Sequence, residues 1–275
     1  MSSDILRAAC AGLLLACLCV LGPSARAEPA APDPWPDIAD AAFHGRQLVD
    51  GTGLIAIEMP ARAEDAALVP VTLRATLPPG DPRTVRSFTL VIDENPAPVA
   101  ARFDIGPKAH VASLSTRVRV NSYTNVHAVA ELSDGKAYVV KTYVKASGGC
   151  SAPAAKNPDQ ARAEIGQMKF RQFAPTETTA GKLREAQIMV RHPNNSGLQM
   201  DQLTRLYVPA FFVHSLRIWQ GDDVVLSMEG GISISEDPNI RFSYAPNGAT
   251  SFRAEAVDTD NHVYKGEWPV TASAM

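Results

Sequence analysis

The stretch SLSTRVRVNSYTNVHAVAELSDGKAYVVKTYVK, Ser113 to Lys145, decides the fold. It holds three runs rich in Val, Thr and Tyr, separated by short polar segments of which SDGK is a turn signal. In the first run Val118 and Val120 alternate with Arg117 and Arg119, the two-residue period of a strand. The segment therefore predicts three consecutive strands of an antiparallel sheet.

The same pattern extends over the rest of the chain. Seven strands of the first half, spread over about 105 residues, predict a sandwich of immunoglobulin size at residues 38–147: Ile55–Met59, Val69–Ala75, Ser87–Ile92, Ala100–Ile105, Ser113–Val120, Val126–Leu132 and Ala137–Lys145. A second sandwich is predicted at residues 167–272 from Met168–Phe173, Lys182–Val190, Phe211–Gln220, Asp223–Met228, Asn239–Ala245, Ser251–Thr259 and Val263–Val270. The predicted class is all-β, with two immunoglobulin-like antiparallel sandwiches that pack together within one chain.

Two short helices complete the prediction. Asp37–Phe43 forms the first, before the first strand. Pro158–Ile165 forms the second, with Asn157 as N-cap and Gly166 after its end. This second helix belongs to a flexible, cysteine-bearing arm and linker at residues 148–166, between the two sandwiches.

The N-terminus has the organisation of a secretory signal peptide, residues 1–27. An apolar run at Ala8–Leu21 precedes the small-residue site ARA at Ala25–Ala27, and the run is too short to span a membrane. We predict Sec export to the periplasm with cleavage near Ala27. Removing these residues changes the formal charge from 26 − 29 = −3 to 24 − 28 = −4. This mild negative charge disfavours nucleic acid and anionic membranes as partners.

One cysteine remains after the signal peptide, because three of the four cysteines precede residue 20. Cys150 stands in SGGCSAPAAKNP, which contains no bulky side chain for packing. A buried, inert cysteine is the alternative interpretation, but this composition is typical of surface loops. We therefore expect an exposed thiol made mobile by Gly148 and Gly149, able to form a disulfide-linked dimer. Lys145 and Lys156 lower its pKa only slightly in this interpretation.

Few other residues carry chemistry. The chain has no phosphate-binding glycine loop, CxxC pair or HExxH motif, and no two of its six histidines are four residues apart. These histidines are expected at the surface or in turns: His44, His110, His127, His192, His214 and His262. We predict no catalytic residue, metal or cofactor. An exposed thiol without local support favours a carrier over an enzyme.

Several segments resemble a known family. VKASGGC at Val144–Cys150 resembles the end of the SoxY sulfur carrier, whose arm closes with Gly-Gly-Cys-Gly-Gly. Further SoxY-like segments are EDAALVPVTLRA (Glu64–Ala75), VIDENPAPVAARF (Val91–Phe103) and STRVRVNSYTNVHAVAELSDGKAY (Ser115–Tyr138). SoxZ-like segments are VRHPNNSG (Val190–Gly197), YVPAFFVHSLRIWQGDDVV (Tyr207–Val225), GGISISEDPNIRFSY (Gly230–Tyr244) and FRAEAVDTDNHVYKGEWPV (Phe252–Val270). The whole is similar to the fused SoxYZ-like carriers associated with quinoprotein dehydrogenases.

The resemblance implies a periplasmic carrier that is not itself an enzyme. Cys150 takes the place of the carrier cysteine, which holds sulfur intermediates from thiosulfate, and Gly148 and Gly149 match the glycines before it. The implied partners are sulfur-oxidation or dehydrogenase-system enzymes, with a sulfur compound as covalent cargo. This chain departs from the family at Ser151–Pro153, where glycines are expected, and Cys150 is not at a chain end. Thiosulfate and other sulfur pathways both stay open.

Three other functions remain as alternatives. The chain could be an accessory module of an exported quinoprotein dehydrogenase system, in which the cysteine is incidental. It could deliver Cu(I), with Cys150 and Met168 as soft ligands. It could be a cysteine enzyme whose histidine partner meets Cys150 only in the folded chain.

Overall fold

The computed structural model describes residues 32–153, 163–174 and 183–271. Helix α1 covers Trp35–Phe43 and ends where His44 adopts a left-handed conformation, φ 53°. The predicted helix at Asp37–Phe43 is confirmed, with two more residues at its start. The predicted signal peptide and most of the predicted helix at Pro158–Ile165 lie outside the described residues. None of the described helices has the length and hydropathy needed to cross a membrane.

Strands make up most of the described chain. All fourteen predicted strands are present, with ends that shift by at most two residues, and β1 was not predicted. The first half contains β1 (Leu48–Asp50), β2 (Ile55–Glu58), β3 (Val69–Ala75), β4 (Val85–Ile92), β5 (Val99–Ile105), β6 (Ser113–Val118), β7 (Thr124–Leu132) and β8 (Ala137–Val144). The second half contains β9 (Met168–Phe173), β10 (Arg184–Val190), β11 (Val213–Gln220), β12 (Asp223–Gly230), β13 (Asn239–Tyr244), β14 (Ser251–Asp258) and β15 (Val263–Pro269).

The strands form two sheets. The nine-stranded sheet has the order β1-β8-β7-β4-β5-β12-β11-β14-β15, and the six-stranded sheet has the order β2-β3-β6-β13-β10-β9. Neighbours are antiparallel except β1 and β8, which run parallel. The predicted all-β class is confirmed, and the two sheets are consistent with the predicted immunoglobulin-like β-sandwich architecture.

The two halves share both sheets. β5 pairs with β12 from Ala101 opposite Gly230 to Ile105 opposite Leu226. β6 pairs with β13, where Leu114 lies opposite Phe242. The sequence predicted two sandwiches that pack together, whereas the structure joins them edge to edge by backbone hydrogen bonds. This pairing covers strand edges that separate sandwiches would leave open.

A continuous hydrophobic core runs between the sheets through both halves. In β10 the inward residues Ala186, Ile188 and Val190 are buried, and the residues between them are half-exposed. This alternation is the one expected of strands that cover a core on one face. At the junction of the halves, segments following β6, β8 and β10 meet, and Cys150 lies among them.

Candidate functional site

Residues 145–153, which we call the cysteine loop, begin as a hydrogen-bonded continuation of β8. The backbone N–H of Lys145 donates to the carbonyl of Ala61 at 2.9 Å, and that of Ala63 donates to the carbonyl of Lys145 at 3.0 Å. The Lys145 side chain is exposed. The predicted arm begins at Gly148, so the backbone just before it is held at Lys145 by both its N–H and its carbonyl.

Gly148 and Gly149 are fixed by the segment that follows β6. The N–H of Gly148 donates to the carbonyl of Asn121 at 2.8 Å, and the N–H of Gly149 donates to that of Val120 at 3.0 Å. Gly148 has a left-handed φ of 76°, and Ser151 N–H closes a turn onto its carbonyl at 3.2 Å. In this conformation the two glycines form an ordered turn.

Gly149 is required by close packing. A Cβ atom at this position would lie 2.0 Å from the carbonyl oxygen of Ala66 and 2.6 Å from that of Val120. Both distances are far below contact, and both atoms are backbone. Because glycine has no side chain, the backbone at Gly149 can pack directly against the carbonyls of Ala66 and Val120.

Cys150 is completely buried. Its relative exposure is 0%, so the expectation of an exposed thiol is wrong for this conformation. Burial raises the pKa of the Cys150 thiol, and the nearby Arg119 guanidinium partly opposes that shift. The sulfur is therefore a protonated, weakly nucleophilic thiol at neutral pH while the loop is closed.

The second half of the chain holds the cysteine through Ser196. The Ser196 hydroxyl donates to the carbonyl of Cys150, and its own N–H donates to Oε1 of Gln199 at 2.8 Å. Ser196 and Gln199 are 4% and 1% exposed. Both belong to the long segment between β10 and β11, so the closed loop depends on residues of both halves.

Arg119 lies beneath the same loop. Its side chain is 1% exposed, Nη1 donates to the carbonyl of Gly149 at 3.2 Å, and Nη2 lies 3.4 Å from that of Asn194. Burial lowers the pKa of Arg119, while the negative charges of the Glu236 carboxylate, of Cys150 when it is ionised, and of the Asp65 carboxylate oppose the shift. The sequence placed Arg119 on the polar face of a strand. The strand ends at Val118, and only the folded chain reveals the burial of the next residue.

Asn95 positions the backbone around Arg119. Its Nδ2 donates to the carbonyl of Arg119 at 2.8 Å and to the Ser233 hydroxyl at 2.9 Å, and its Oδ1 accepts from Asn121 N–H at 2.8 Å. Asn95 is 4% exposed. One buried amide thus ties the segment after β6, which carries Arg119 and holds Gly148, to the second half of the chain.

A hairpin with an apolar surface adjoins the Ser196 contact. Met200 and Tyr207 form a bridge at its base, and the Asp201 carboxylate accepts from the N–H groups of Leu203 and Thr204 at 3.0 and 2.7 Å. We call residues 198–207 the apolar hairpin. Its exposed large apolar side chains are Leu198, Met200, Leu203, Leu206 and Tyr207.

The other predicted site residues lie apart from this loop or outside the description. Lys156 is outside the described residues. Met168 begins β9 opposite Val190 and packs against the hydrophobic core. Within residues 32–153, 163–174 and 183–271, no cluster of three or more His, Cys, Asp or Glu could hold a metal ion.

Two histidines are buried, although all six were expected at the surface or in turns. His127 and His192 are each 2% exposed. His127 lies with Nδ1 2.9 Å from Asp93 and stacks on Trp35. His192 Nδ1 accepts from Asn194 N–H at 3.1 Å, and burial lowers its pKa. Tertiary packing, which a single sequence does not reveal, places both rings inside.

Two family models match the chain. Residues 39–150 match the family described as sulfur oxidation protein SoxY. Residues 171–269 match the family described as sulphur oxidation protein SoxZ. The first match ends on Cys150, and the gap between the matches, residues 151–170, extends past the predicted linker into β9. A comparison with curated proteins finds no match.

The solved structures that are similar to this chain include two kinds of protein. The sulfur carrier protein SoxY from Chlorobium limicola f thiosulfatophilum is 27% identical, with 41% of this chain and 91% of that chain covered and a TM-score of 0.35. A superoxide reductase (neelaredoxin) from Ignicoccus hospitalis is 12% identical over 33% of this chain and 78% of that chain, with a TM-score of 0.29. With TM-scores of 0.35 and 0.29, neither comparison establishes a shared overall fold.

Proposed function

Because this chain belongs to the SoxY and SoxZ families of sulfur-oxidation carriers, joined in one polypeptide, we propose that it holds a sulfur compound covalently on Cys150 while partner enzymes act on that compound. The observation that carries the proposal is the position of Cys150. It is the last residue of the SoxY match, follows two glycines, and is held between both halves of the chain.

Carriage requires two states of the loop. In the closed state the thiol has no exposed surface and burial raises its pKa, so it is protected from stray electrophiles. Only a thiolate is a strong nucleophile, so loading takes place after the loop opens. In the open state Gly148 and Gly149 then provide the mobility that the sequence predicts.

Loading follows ordinary sulfur chemistry. The Cys150 thiol loses its proton, and its sulfur forms a bond to a sulfur of the cargo. When the cargo is thiosulfate, this union is a two-electron oxidation, and a partner enzyme accepts both electrons. When the cargo arrives as a disulfide-like compound, the thiolate displaces a thiolate or thiosulfate leaving group instead.

The partner enzyme contacts the apolar hairpin in this proposal. Leu203, Leu206 and Tyr207 are 94%, 69% and 66% exposed, and exposed apolar clusters mark interaction sites. The base of the hairpin includes Gln199, which holds Ser196 and through it the Cys150 carbonyl. A partner seated on the hairpin therefore stands beside the cysteine that it must reach.

Export fits this chemistry. We propose that residues 1–27 direct the chain to the periplasm, where the mature protein meets the enzymes that load and unload it. The chain needs no cofactor of its own, since the thiol supplies the attachment and the partners supply catalysis. Linking both domains in one chain keeps them together at any protein concentration.

The burial of Cys150 favours one competing function. An accessory module of an exported quinoprotein dehydrogenase system would keep its single cysteine buried and inert, as the closed loop does. That module would bind its partners without any covalent adduct. The carrier needs the sulfur atom of Cys150 for its activity, whereas the accessory module does not.

The experiment is complementation of a deletion strain of the native host. Cys150→Ala is preferable to serine, because a buried hydroxyl without a partner costs about 1–3 kcal/mol. We expect sulfur-compound oxidation with the wild-type chain and none with Cys150→Ala at equal protein level. Full activity of Cys150→Ala would establish the accessory module instead. Ala146→Gly, four residues before the cysteine, controls for general disturbance of the segment.

A further inference from the structure

Arg119 carries a buried positive charge at the carrier cysteine. It ranks first by volume among the fully buried side chains of the described chain, and its guanidinium donates to the carbonyl of Gly149, the residue before Cys150. The carbonyl of Cys150 itself accepts from Ser196 on the other side. The two peptide carbonyls that flank the cysteine are thus held by an arginine and by the Ser196–Gln199 pair.

The charge of Arg119 has no close partner among the described residues. No carboxylate in that part of the chain comes within 4.0 Å of its nitrogens, and its Nε has no hydrogen-bond acceptor. The acidic groups that act on it are Glu236, half-buried, and Asp65, exposed. A buried cation normally has a carboxylate partner, since desolvation is expensive otherwise.

A second unsatisfied donor lies nearby. Gln199 uses Oε1 to accept from Ser196, while its buried Nε2 has no hydrogen-bond partner in the described chain. Two nearly inaccessible side chains beside one cysteine therefore each keep an unused N–H donor. Hydrogen-bond donors, one of them on a guanidinium group, are the chemistry that recognises an oxyanion.

A structural role alone explains this arrangement poorly. Holding two backbone carbonyls requires two N–H donors and no charge, and a neutral amide would avoid most of the desolvation cost. Arg117, two residues earlier, donates to the carbonyl of Asp237 at 3.1 Å, and its side chain makes no hydrogen bond to the described residues of the cysteine loop.

We propose that Arg119, assisted by Gln199, forms an anion site that holds the negatively charged group of a sulfur adduct on Cys150 after the loop closes over it. This inference rests on the proposed carrier function and names its cargo class. The site favours cargo that ends in a sulfonate, such as a thiosulfonate, over neutral or cationic cargo. Arg119 is a positioning residue here, because it orients and shields the adduct without reacting.

The test uses three adducts of different charge on the purified full chain. The Cys150 thiolate attacks a central sulfur of tetrathionate, thiosulfate leaves, and an anionic thiosulfonate adduct remains. Methyl methanethiosulfonate and aminoethyl methanethiosulfonate lose methanesulfinate in the same way and leave a neutral methylthio and a cationic aminoethylthio group. The readout is the rate at which dithiothreitol releases each adduct, divided by its rate from a peptide of sequence KASGGCS.

We expect the closed loop to slow release of the anionic adduct at least tenfold relative to the peptide, and to slow the other two by less than threefold. Arg119→Gln should remove the protection of the anionic adduct, Arg119→Lys should restore part of it, and Arg117→Gln should leave it unchanged. Equal protection of all three adducts in the wild-type chain would overturn the anion site, and this comparison needs no variant. Gln199→Leu gives a second test if Arg119→Gln fails to fold, and should weaken protection of the anionic adduct alone.

The result is separable from the carrier function. If the chain from its native host carries nothing on Cys150, the carrier proposal fails whatever the release rates are. If it carries an adduct there but charge does not affect release, the anion site alone fails.

Discussion

The Ser196 hydroxyl, in the second half of the chain, donates a hydrogen bond to the carbonyl of Cys150, at the end of the first half. Opening the loop breaks this contact together with the bonds from Arg119 to Gly149, Gly149 to Val120 and Gly148 to Asn121. At about 0.5–1.5 kcal/mol each, four such bonds hold the loop closed by about 2–6 kcal/mol. A docking partner can offset an energy of this size.

Ser196→Ala should loosen the closed loop. Loss of one hydrogen bond of about 1 kcal/mol raises the open population about fivefold. We expect iodoacetamide to alkylate Cys150 about fivefold faster in this variant, measured by intact mass over time at fixed pH. Ser151→Ala is the matched control, because among the described residues its exposed hydroxyl donates only to the carbonyl of Gly148 within the turn. An unchanged rate for Ser196→Ala would show that the contact does not hold the loop.

Gly149→Ala should prevent closure. The added methyl group would lie 2.0 Å from the carbonyl oxygen of Ala66, so the loop must move away. We expect alkylation of Cys150 to accelerate tenfold or more. Gly148→Ala provides the comparison, because the nearest atom to its new methyl group is Ser151 Oγ at 3.9 Å and only its left-handed φ, worth about 1–2 kcal/mol, opposes it. A smaller effect at Gly149 than at Gly148 would contradict this account of packing.

Much of the fold could be predicted because strand patterning is local. Alternating buried and exposed residues, as in β10, appear directly in the sequence, and turn signals mark most strand ends. β1 was missed because three residues are too few to show a period. The edge-to-edge pairing of β5 with β12 was missed because register between distant strands leaves no local signal.

The candidate cysteine could be selected from the sequence, whereas its environment could not. The count of cysteines and the flanking glycines pointed to Cys150. Its burial depends on Ala66, Val120 and Ser196, which are far away in sequence, so composition alone predicted a surface loop. Arg119 was misassigned for the same reason, since a side chain that follows a strand can turn inward or outward.

The Cys150 thiol should make stability depend on pH in the alkaline range. Its pKa is raised in the folded chain, so between the unfolded value of about 8.5 and the folded value the native state binds more protons. Its contribution is complete below about pH 8.5 and is lost as the pH rises through the folded pKa. Urea unfolding should show wild-type stability falling above pH 8.5 relative to Cys150→Ala. Parallel pH profiles of the two proteins would mean that the thiol is not buried in solution.

Leu203→Ser on the apolar hairpin should slow transfer without affecting the fold. Leu203 is 94% exposed, so its replacement changes the free energy of unfolding by no more than about 0.5 kcal/mol. We expect loading of Cys150 by the partner enzyme to slow severalfold, while alkylation by iodoacetamide is unchanged. Val49→Ser, on the edge strand β1, is the control for loss of an exposed apolar side chain. Normal loading of Leu203→Ser would place partner contact elsewhere on the protein.

The central claim is that Cys150 carries sulfur, and intact-mass spectrometry of the protein isolated from its native host tests it most directly. Cells grown on a reduced sulfur compound should yield wild-type chains with added sulfur or sulfonate mass that reductant removes, and peptide mapping should place that mass on Cys150. Cys150→Ala chains from the same growth should have only the mass of the processed polypeptide. A wild-type chain that is unmodified under every sulfur source would contradict the carrier function.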